Sequence, residues 1–252
     1  TFIIPDLNTA VNAYIAGQLL LHEATNESQA EQARQQVGSR GVIARLTQMS
    51  NVTMEMNAAR KPWGDIRVRQ AASMAIDRKE AMQVMTDGAG EPSGMMLPKG
   101  QWALPAEELR KMPGYAADKV AERAQARKLL AEAGFPSGFK AAMTARRGQQ
   151  FEAAAIFLKD QLGQVGIDLN IQILETAAFY ERLSKRDFEV MGGSYSTAVD
   201  DPDAIFGQNY LCTAGRNYSG MCVAEVEKLF LEQSQIRDRS ARAPVVHQLQ
   251  RV

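Results

Sequence analysis

Histidine and cysteine are nearly absent from this chain, with two of each among 252 residues. His22 and His247 stand near opposite ends, and neither has a second ligand at the i+4 spacing that a helical zinc site requires. No GxSxG elbow, no P-loop and no GxGxxG following a strand occurs, so nucleophile-elbow hydrolases and common nucleotide-binding folds lose their sequence signatures. Gly192-Gly193 has glycines but lacks the rest of a phosphate cradle. No run approaches the ~18 consecutive apolar residues of a membrane span. Net charge is absent too: 29 Lys plus Arg balance 29 Asp plus Glu, leaving no electrostatic footprint for nucleic acid or an anionic membrane surface. We therefore expect no cofactor, no bound metal and no nucleic-acid partner.

The composition is that of a soluble globular protein, 45% hydrophobic and 23% charged. Its length suits one large or two modest domains, at ~100–200 residues each. Thr1 opens the chain without a methionine or a basic-then-apolar leader, and Val252 ends it inside an amphipathic pattern over residues 240–252. Both ends are expected to be cuts in a longer chain, with a signal peptide upstream. Cys212 and Cys222 are too far apart for a CxxC redox or zinc pair. The intervening residues are glycines and polar turn formers, so a bridge contributing ~2–3 kcal/mol is one reading, and two buried free thiols are the other. A bridge would imply an oxidising compartment.

Along the first fifty residues, helix-like segments at 7–16 and 28–37 flank an apolar piece at 18–21. Residues 51–57 alternate with period two and predict a strand, ended by Lys61-Pro-Trp-Gly64. Asp65 caps a helix with Ile66, Val68, Ala71, Ala72 and Ala75 on one side. A helix over 78–85, a loop tract rich in turn signals to Gly100, and a strong helix over 121–133 stopped by Gly134 and Pro136 follow. Strands at 139–145, 168–174 and 188–195 then alternate with helices at 149–165 and 177–185. That order predicts an α/β layer with a largely parallel sheet. Ligands of such sheets bind beyond the carboxyl ends of the strands, here after Ala145, Leu174 and Tyr195.

Two charge clusters fall near those ends. Asp200-Asp201-Pro202-Asp203 suggests a metal or acid/base site on one reading. On the other, Asp201 is a helix N-cap, Pro202 the first helical residue and Asp203 a partner of the helix dipole. Arg146-Arg147 lies between a strand and a helix N-terminus, where guanidinium groups and backbone N–H groups hold anions; an exposed, solvated pair is the alternative. Phe179, Tyr180 and Tyr195 are aromatic candidates for ligand stacking or for core.

Several runs taken together resemble the family 5 extracellular solute-binding proteins, the peptide/nickel class of receptors for ABC importers. They are Met56-Asn57, Pro62, Asp65-Ile-Arg-Val-Arg-Gln-Ala71 and Ala75-Ile-Asp-Arg78, then Ala126-Arg-Lys-Leu-Leu-Ala-Glu-Ala-Gly-Phe-Pro136 with Gly138-Phe139. Leu162-Gly-Gln-Val-Gly-Ile-Asp168, Asp187-Phe-Glu-Val190, Asp201-Pro-Asp203, Asn217-Tyr218-Ser219 and Glu225-Val-Glu-Lys-Leu229 follow in order. The resemblance implies an α/β, periplasmic-binding-protein type II-like lobe with a mixed, mostly parallel sheet flanked by helices. Residues 1–50 would be a piece of the first lobe, 51–252 the second lobe truncated at its C-terminus, and 51–57 the hinge crossover.

By the same resemblance, Cys212 and Cys222 are bridged and the protein is periplasmic. Its partners are a peptide or other small polar ligand and the permease subunits of an importer, and the receptor is a monomer. The expected ligand-binding residues are Tyr195, Ser196, Thr197, Ala198 and Asp200 along one wall, with Arg146 or Arg147 as clamp for a carboxylate. Peptide-binding members carry an aspartate where this chain has Ala198, so the anchor for a ligand's amino group is missing unless Asp200 substitutes. The function implied is solute capture between lobes for import. A sensor or chaperone of the same fold, and a hydrolase built on the 200–203 carboxylates, are the alternatives.

Overall fold

A computed structural model describes residues 3–4, 6–24, 26–44, 49–197 and 199–252, with only the backbone described for residues 49, 50 and 195. In chain order the elements are α1 (Leu7–Ile15), α2 (Glu27–Val37), β1 (Met49–Met56), α3 (Ile66–Ala75), α4 (Arg78–Thr86), α5 (Ala106–Leu109), α6 (Lys119–Glu132) and β2 (Phe139–Arg146). They continue with α7 (Gln149–Gly163), β3 (Ile167–Leu174), α8 (Thr176–Ser184), β4 (Val190–Thr197), α9 (Pro202–Asn209), α10 (Ala224–Gln235) and α11 (Arg239–Leu249). None of the described helices is long and apolar enough to cross a membrane.

The chain forms two compact units, and a single cut does not separate them. One comprises Thr1–Thr47 and Lys79–Pro92, the other Gln48–Arg78 and Ser93–Val252. In the smaller unit α1 packs on α2, burying Ala10, Val11, Ala33 and Val37. The later stretch joins it through Asp87, whose carboxylate accepts from the Ser28 hydroxyl at 2.6 Å and the Ser28 backbone N–H at 3.2 Å. The sequence pattern places 79–92 with its neighbours in the chain, because periodicity carries no signal for so distant a partner.

The larger unit is built on a four-stranded sheet of order β1-β4-β2-β3. The last three strands are mutually parallel and β1 runs antiparallel to β4. This is the α/β layer with a largely parallel sheet that the alternating pattern predicts, and the mixed sheet that the resemblance implies. Alternation along the strands sorts the sheet's faces. Ala141, Met143 and Ala145 of β2 and Ile167 and Leu169 of β3 enter the main core with Val68, Ala71 and Ala72 of α3, Leu130 of α6 and Leu158 and Leu162 of α7. On the other face, Met191 joins Phe179 and Leu183 of α8 and Phe188 in a smaller cluster. A third cluster gathers Met96, Trp102, Ile205, Phe206, Leu229, Val246 and Leu249.

The helix starts follow the cap chemistry visible in the sequence. Asp65 accepts from the Arg67 N–H, Asp118 from the Ala121 N–H and Asp201 from the Asp203 N–H, each satisfying a donor that the first helical turn leaves open. β4 begins and ends later than its apolar pattern suggests, at Val190 rather than Phe188 and at Thr197 rather than Tyr195. Its last residues are held by β1, with Met49 opposite Thr197 and Asn51 opposite Tyr195. Polar residues such as Ser194 and Ser196 are thus strand because of a partner, not because of their own propensity.

Cys212 and Cys222 form a disulfide, with Cα atoms 4.6 Å apart. The free-thiol reading is therefore set aside. Closing so short a loop contributes ~2–3 kcal/mol by restricting the unfolded chain.

Candidate functional site

Chain order and strand order locate the crevice. From β2 the chain crosses to β3 on one side and then to β4 on the other, so the connections diverge between β2 and β4. Divergence of this kind marks the carboxyl edge of a sheet as the place where ligands of α/β proteins bind. That edge carries Arg146 at the end of β2, Leu174 at the end of β3 and Thr197 at the end of β4. β4 pairs with β2 only from Val190 to Gly192 and runs on for five further residues beside β1. At ~3.3 Å per residue the overhang extends ~16 Å past the pairing, as one wall of the edge.

The two arginines at this edge have different environments. Arg147 is exposed, and its Nε donates to Glu175 at 2.5 Å while Nη1 lies 3.8 Å from Glu152. Its backbone N–H closes onto the Leu174 carbonyl at 2.7 Å. Arg146 is only partly exposed and, among the described residues, makes no hydrogen bond or ion pair. Its guanidinium carbon instead lies 3.9 Å from the Phe151 ring centroid and 5.9 Å from that of Tyr180. Alternation puts Arg146, with Ala142 and Thr144, on the face of β2 opposite the main core. Helix α8, which supplies Tyr180, packs against this strand. Arg147 is the internally neutralised cation and Arg146 is the one left with five N–H donors for an external acceptor.

The expected wall residues are placed as follows. Ser196 is exposed, and the Thr197 hydroxyl donates to the Val199 carbonyl at 2.7 Å. Ala198 and the side chain of Tyr195 lie outside the described residues. Asp200 faces the Leu97–Gly100 turn: a methyl group at Gly100 would stand 2.7 Å from its Oδ2, and its Oδ1 is buried with no partner among the described residues. Burial raises its pKa above the ordinary 3.8; Asp201 pushes the same way, while a Leu97 backbone hydrogen bond opposes. Trp102 Nε1 holds the Asp200 carbonyl at 2.9 Å.

The neighbouring carboxylates are committed elsewhere. Arg242 donates to both oxygens of Asp201, each at 3.0 Å, and to Asp203 at 3.2 Å. Gln233 adds a 2.6 Å hydrogen bond to Asp203. Asp201 caps α9 and Pro202 takes its first position, so these carboxylates hold α9, α10 and α11 together. Among the described residues no group of three or more His, Cys, Asp or Glu side chains could hold a metal ion.

One residue of this edge, Phe151, and one buried carboxyl away from it, Glu55, escaped the sequence reading. Phe151 reads as an ordinary apolar residue in the first turn of α7, and only its five-residue distance from Arg146 hints at contact. Glu55, on β1 opposite Met191, occupies a polar position of the alternating strand, yet burial raises its carboxyl pKa from 4.5 to about 7. A carboxyl raised on folding is protonated preferentially in the native state. It therefore adds no cost below pH ~4.5, an increasing cost as pH rises from there to about 7, and a constant cost above. Glu55→Gln is expected to raise stability at pH 8 by about 1–2 kcal/mol and to change little at pH 4. Urea unfolding at the two pH values checks this, and an equal effect at both would show that Glu55 ionises freely.

The model of the bacterial extracellular solute-binding proteins, family 5 Middle, matches residues 1–217. The chain belongs to this family. Di/tripeptide-binding protein 1 of Pseudomonas aeruginosa is 27% identical over 203 residues, covering 78% of this chain and 36% of that protein. Oligopeptide-binding protein AppA of Bacillus subtilis is 27% identical over 256 residues, covering 94% and 45%. Among solved structures, OppA of Burkholderia pseudomallei superposes with a TM-score of 0.79 at 21% identity, covering 96% of this chain and 48% of that one. The periplasmic binding protein DppA of Helicobacter pylori, in complex with the peptide STSA, gives 0.75 at 20% identity, covering 98% and 47%. The chain thus spans about a third to a half of the length of these relatives. The family 5 fold is that of the type II periplasmic binding proteins, and Arg146 ends β2 at the carboxyl edge of the sheet.

Proposed function

We propose that this chain supplies the second lobe, built on residues 48–78 and 93–252, and a piece of the first, of a secreted receptor that captures a small peptide-like or other polar solute for an ABC importer. The observation that carries this reading is Arg146, a guanidinium without a carboxylate partner among the described residues, at the carboxyl edge beside the β2/β4 divergence. A partly buried cation without an internal ion pair is retained most readily where an external anion completes it. Among the relatives named above are a di/tripeptide-binding protein, an oligopeptide-binding protein and one in complex with the peptide STSA, which supports a ligand with a terminal carboxylate. The disulfide and the periplasmic relative support an oxidising, periplasmic address.

The receptor works by affinity and closure, not bond making. Arg146 would hold the ligand's carboxylate, and the overhanging end of β4 would line the ligand's length with backbone groups and Ser196. The hydrolase alternative finds no support, since Asp201 and Asp203 are held by Arg242 and Asp200 turns towards Leu97–Gly100. Native mass spectrometry of the full-length protein purified from its own host is the direct test. A copurifying small carboxylated or peptide-like ligand is expected; a ligand with no anionic group would overturn the reading.

A further inference from the structure

The paired arginines raise a physical problem that the local aromatics resolve. Two guanidinium groups, Arg146 and Arg147, share a corner with two carboxylates, Glu152 and Glu175. Left to Coulomb attraction alone, each arginine would take one carboxylate, and no cation would remain for a ligand. The structure has Arg147 beside both, with Glu152 further committed to the Gly148 N–H at 3.1 Å. Arg146 rests against aromatic faces instead.

Each ring is itself placed. Tyr180 stands edge-to-face on Phe179, with centroids 5.3 Å apart and planes at 80°. Phe179 is buried in the cluster with Leu183, Phe188 and Met191, so the exposed Tyr180 ring has a fixed support. Phe151 lies in the first turn of α7 beside Gly148, whose φ of +137° is accessible to glycine and rarely to other residues. A Cβ at Gly148 would come within 3.1 Å of the Phe151 ring. The glycine thus leaves the ring the room it occupies over the guanidinium.

We infer that Phe151 and Tyr180 are positioning residues that hold Arg146 away from Glu152 and Glu175 and keep its N–H fork directed to a ligand carboxylate. The inference rests on the proposed binding role of Arg146. Cation–π attraction at a partly exposed site is comparable to, or stronger than, an exposed ion pair, so the two rings can compete with Glu152 and Glu175 for the guanidinium. An aromatic contact of this kind uses none of the five N–H donors, which stay available to a ligand.

The test uses the full-length receptor, the dipeptide Ala-Phe and its C-terminal amide as probes, and calorimetry. The quantity read is the ratio of the two affinities, which a general loss of folding or cleft shape would lower for both probes together. Phe151→Leu and Tyr180→Leu are each expected to reduce the carboxylate preference by about 3- to 10-fold, with amide binding nearly unchanged. Tyr180→Phe, which keeps the ring, is expected to retain the preference. Because Tyr180 is 47% exposed, its variants test the inference even if Phe151→Leu destabilises α7. Unaltered preference in Tyr180→Leu and Phe151→Leu, alongside a lost preference in Arg146→Ala, overturns the positioning role and leaves the clamp. Unaltered preference in Arg146→Ala, or no binding of either probe by the unmodified receptor, removes the clamp and the positioning role together.

Discussion

Arg146→Ala in the full-length receptor is expected to weaken a carboxylated ligand by about 10- to 100-fold, and Arg147→Ala by no more than about 3-fold. Hydrogen bonds to a charged group contribute ~1.5–3 kcal/mol, and a bidentate guanidinium–carboxylate contact sits at the upper end of that range. Arg146 has its donors available for such a contact. Arg147 already spends its charge on Glu175 and Glu152, and its exposed ion pairs are worth ~0–1 kcal/mol to the fold. Removing Arg147 also frees two carboxylates near the cleft, so its small effect on an anionic ligand should be a loss. Titration calorimetry of both variants decides the matter. Equal losses from the two would mean that the clamp is shared, and a larger loss from Arg147→Ala would reverse the assignment.

Gly138→Ala is expected to destabilise the fold by about 3–5 kcal/mol, while Gly134→Ala, four residues earlier, should cost only about 1–2. Both residues have positive φ, +76° and +95°, and the left-handed conformation costs a side chain roughly 1–2 kcal/mol. They differ in their surroundings. A Cβ at Gly134 meets nothing within 4 Å, whereas one at Gly138 would sit 1.9 Å from the Gly166 carbonyl oxygen. That carbonyl accepts from the Phe139 N–H at 3.0 Å, the hydrogen bond that starts the β2/β3 pairing. Relief of the clash must shift this backbone, and overpacking of a closely packed site adds a further ~1–3 kcal/mol. Because Arg146 and Leu174 terminate the same two strands, Gly138→Ala should lower ligand affinity as well as the thermal midpoint. Thermal or urea unfolding of the two variants gives the comparison, and similar losses from both would mean that the Gly166 loop moves aside freely.

Much of this molecule is legible from residues close together in the chain. The cap at Asp65, the stop at Gly134 and the Asp201-Pro202 start all appear where the sequence places them, because a helix end is satisfied by side chains within three residues of it. Residues 168–174 read correctly as a strand because alternation is a local property of a half-buried strand. The weaker part is β4, whose carboxyl end at Ser194–Thr197 carries no strand propensity of its own and is strand because β1 pairs with it. The return of 79–92 to the smaller unit through Asp87 and Ser28 is likewise a contact between segments 59 residues apart. Nothing in local pattern announces it.

The site divides in the same way. That an arginine pair follows β2, that Ala198 stands where peptide-binding members carry an aspartate, and that the 200–203 carboxylates have the pattern of a helix start were all in the sequence. Which arginine is free was not. Arg146 and Arg147 are adjacent and chemically identical, and consecutive residues at a strand end point to opposite sides. Phe151 reaches this corner from the start of α7, and Glu175 and Tyr180 from the start of α8; their positions follow from the order β4-β2-β3 and from the packing of α7 and α8 on opposite faces of β2. The sequence by itself determined the family, the helix caps and the strand-ending cations. Only the tertiary structure decided between two guanidinium groups, because charge pairing and aromatic contact depend on distance in space, which residue spacing within a single segment does not encode.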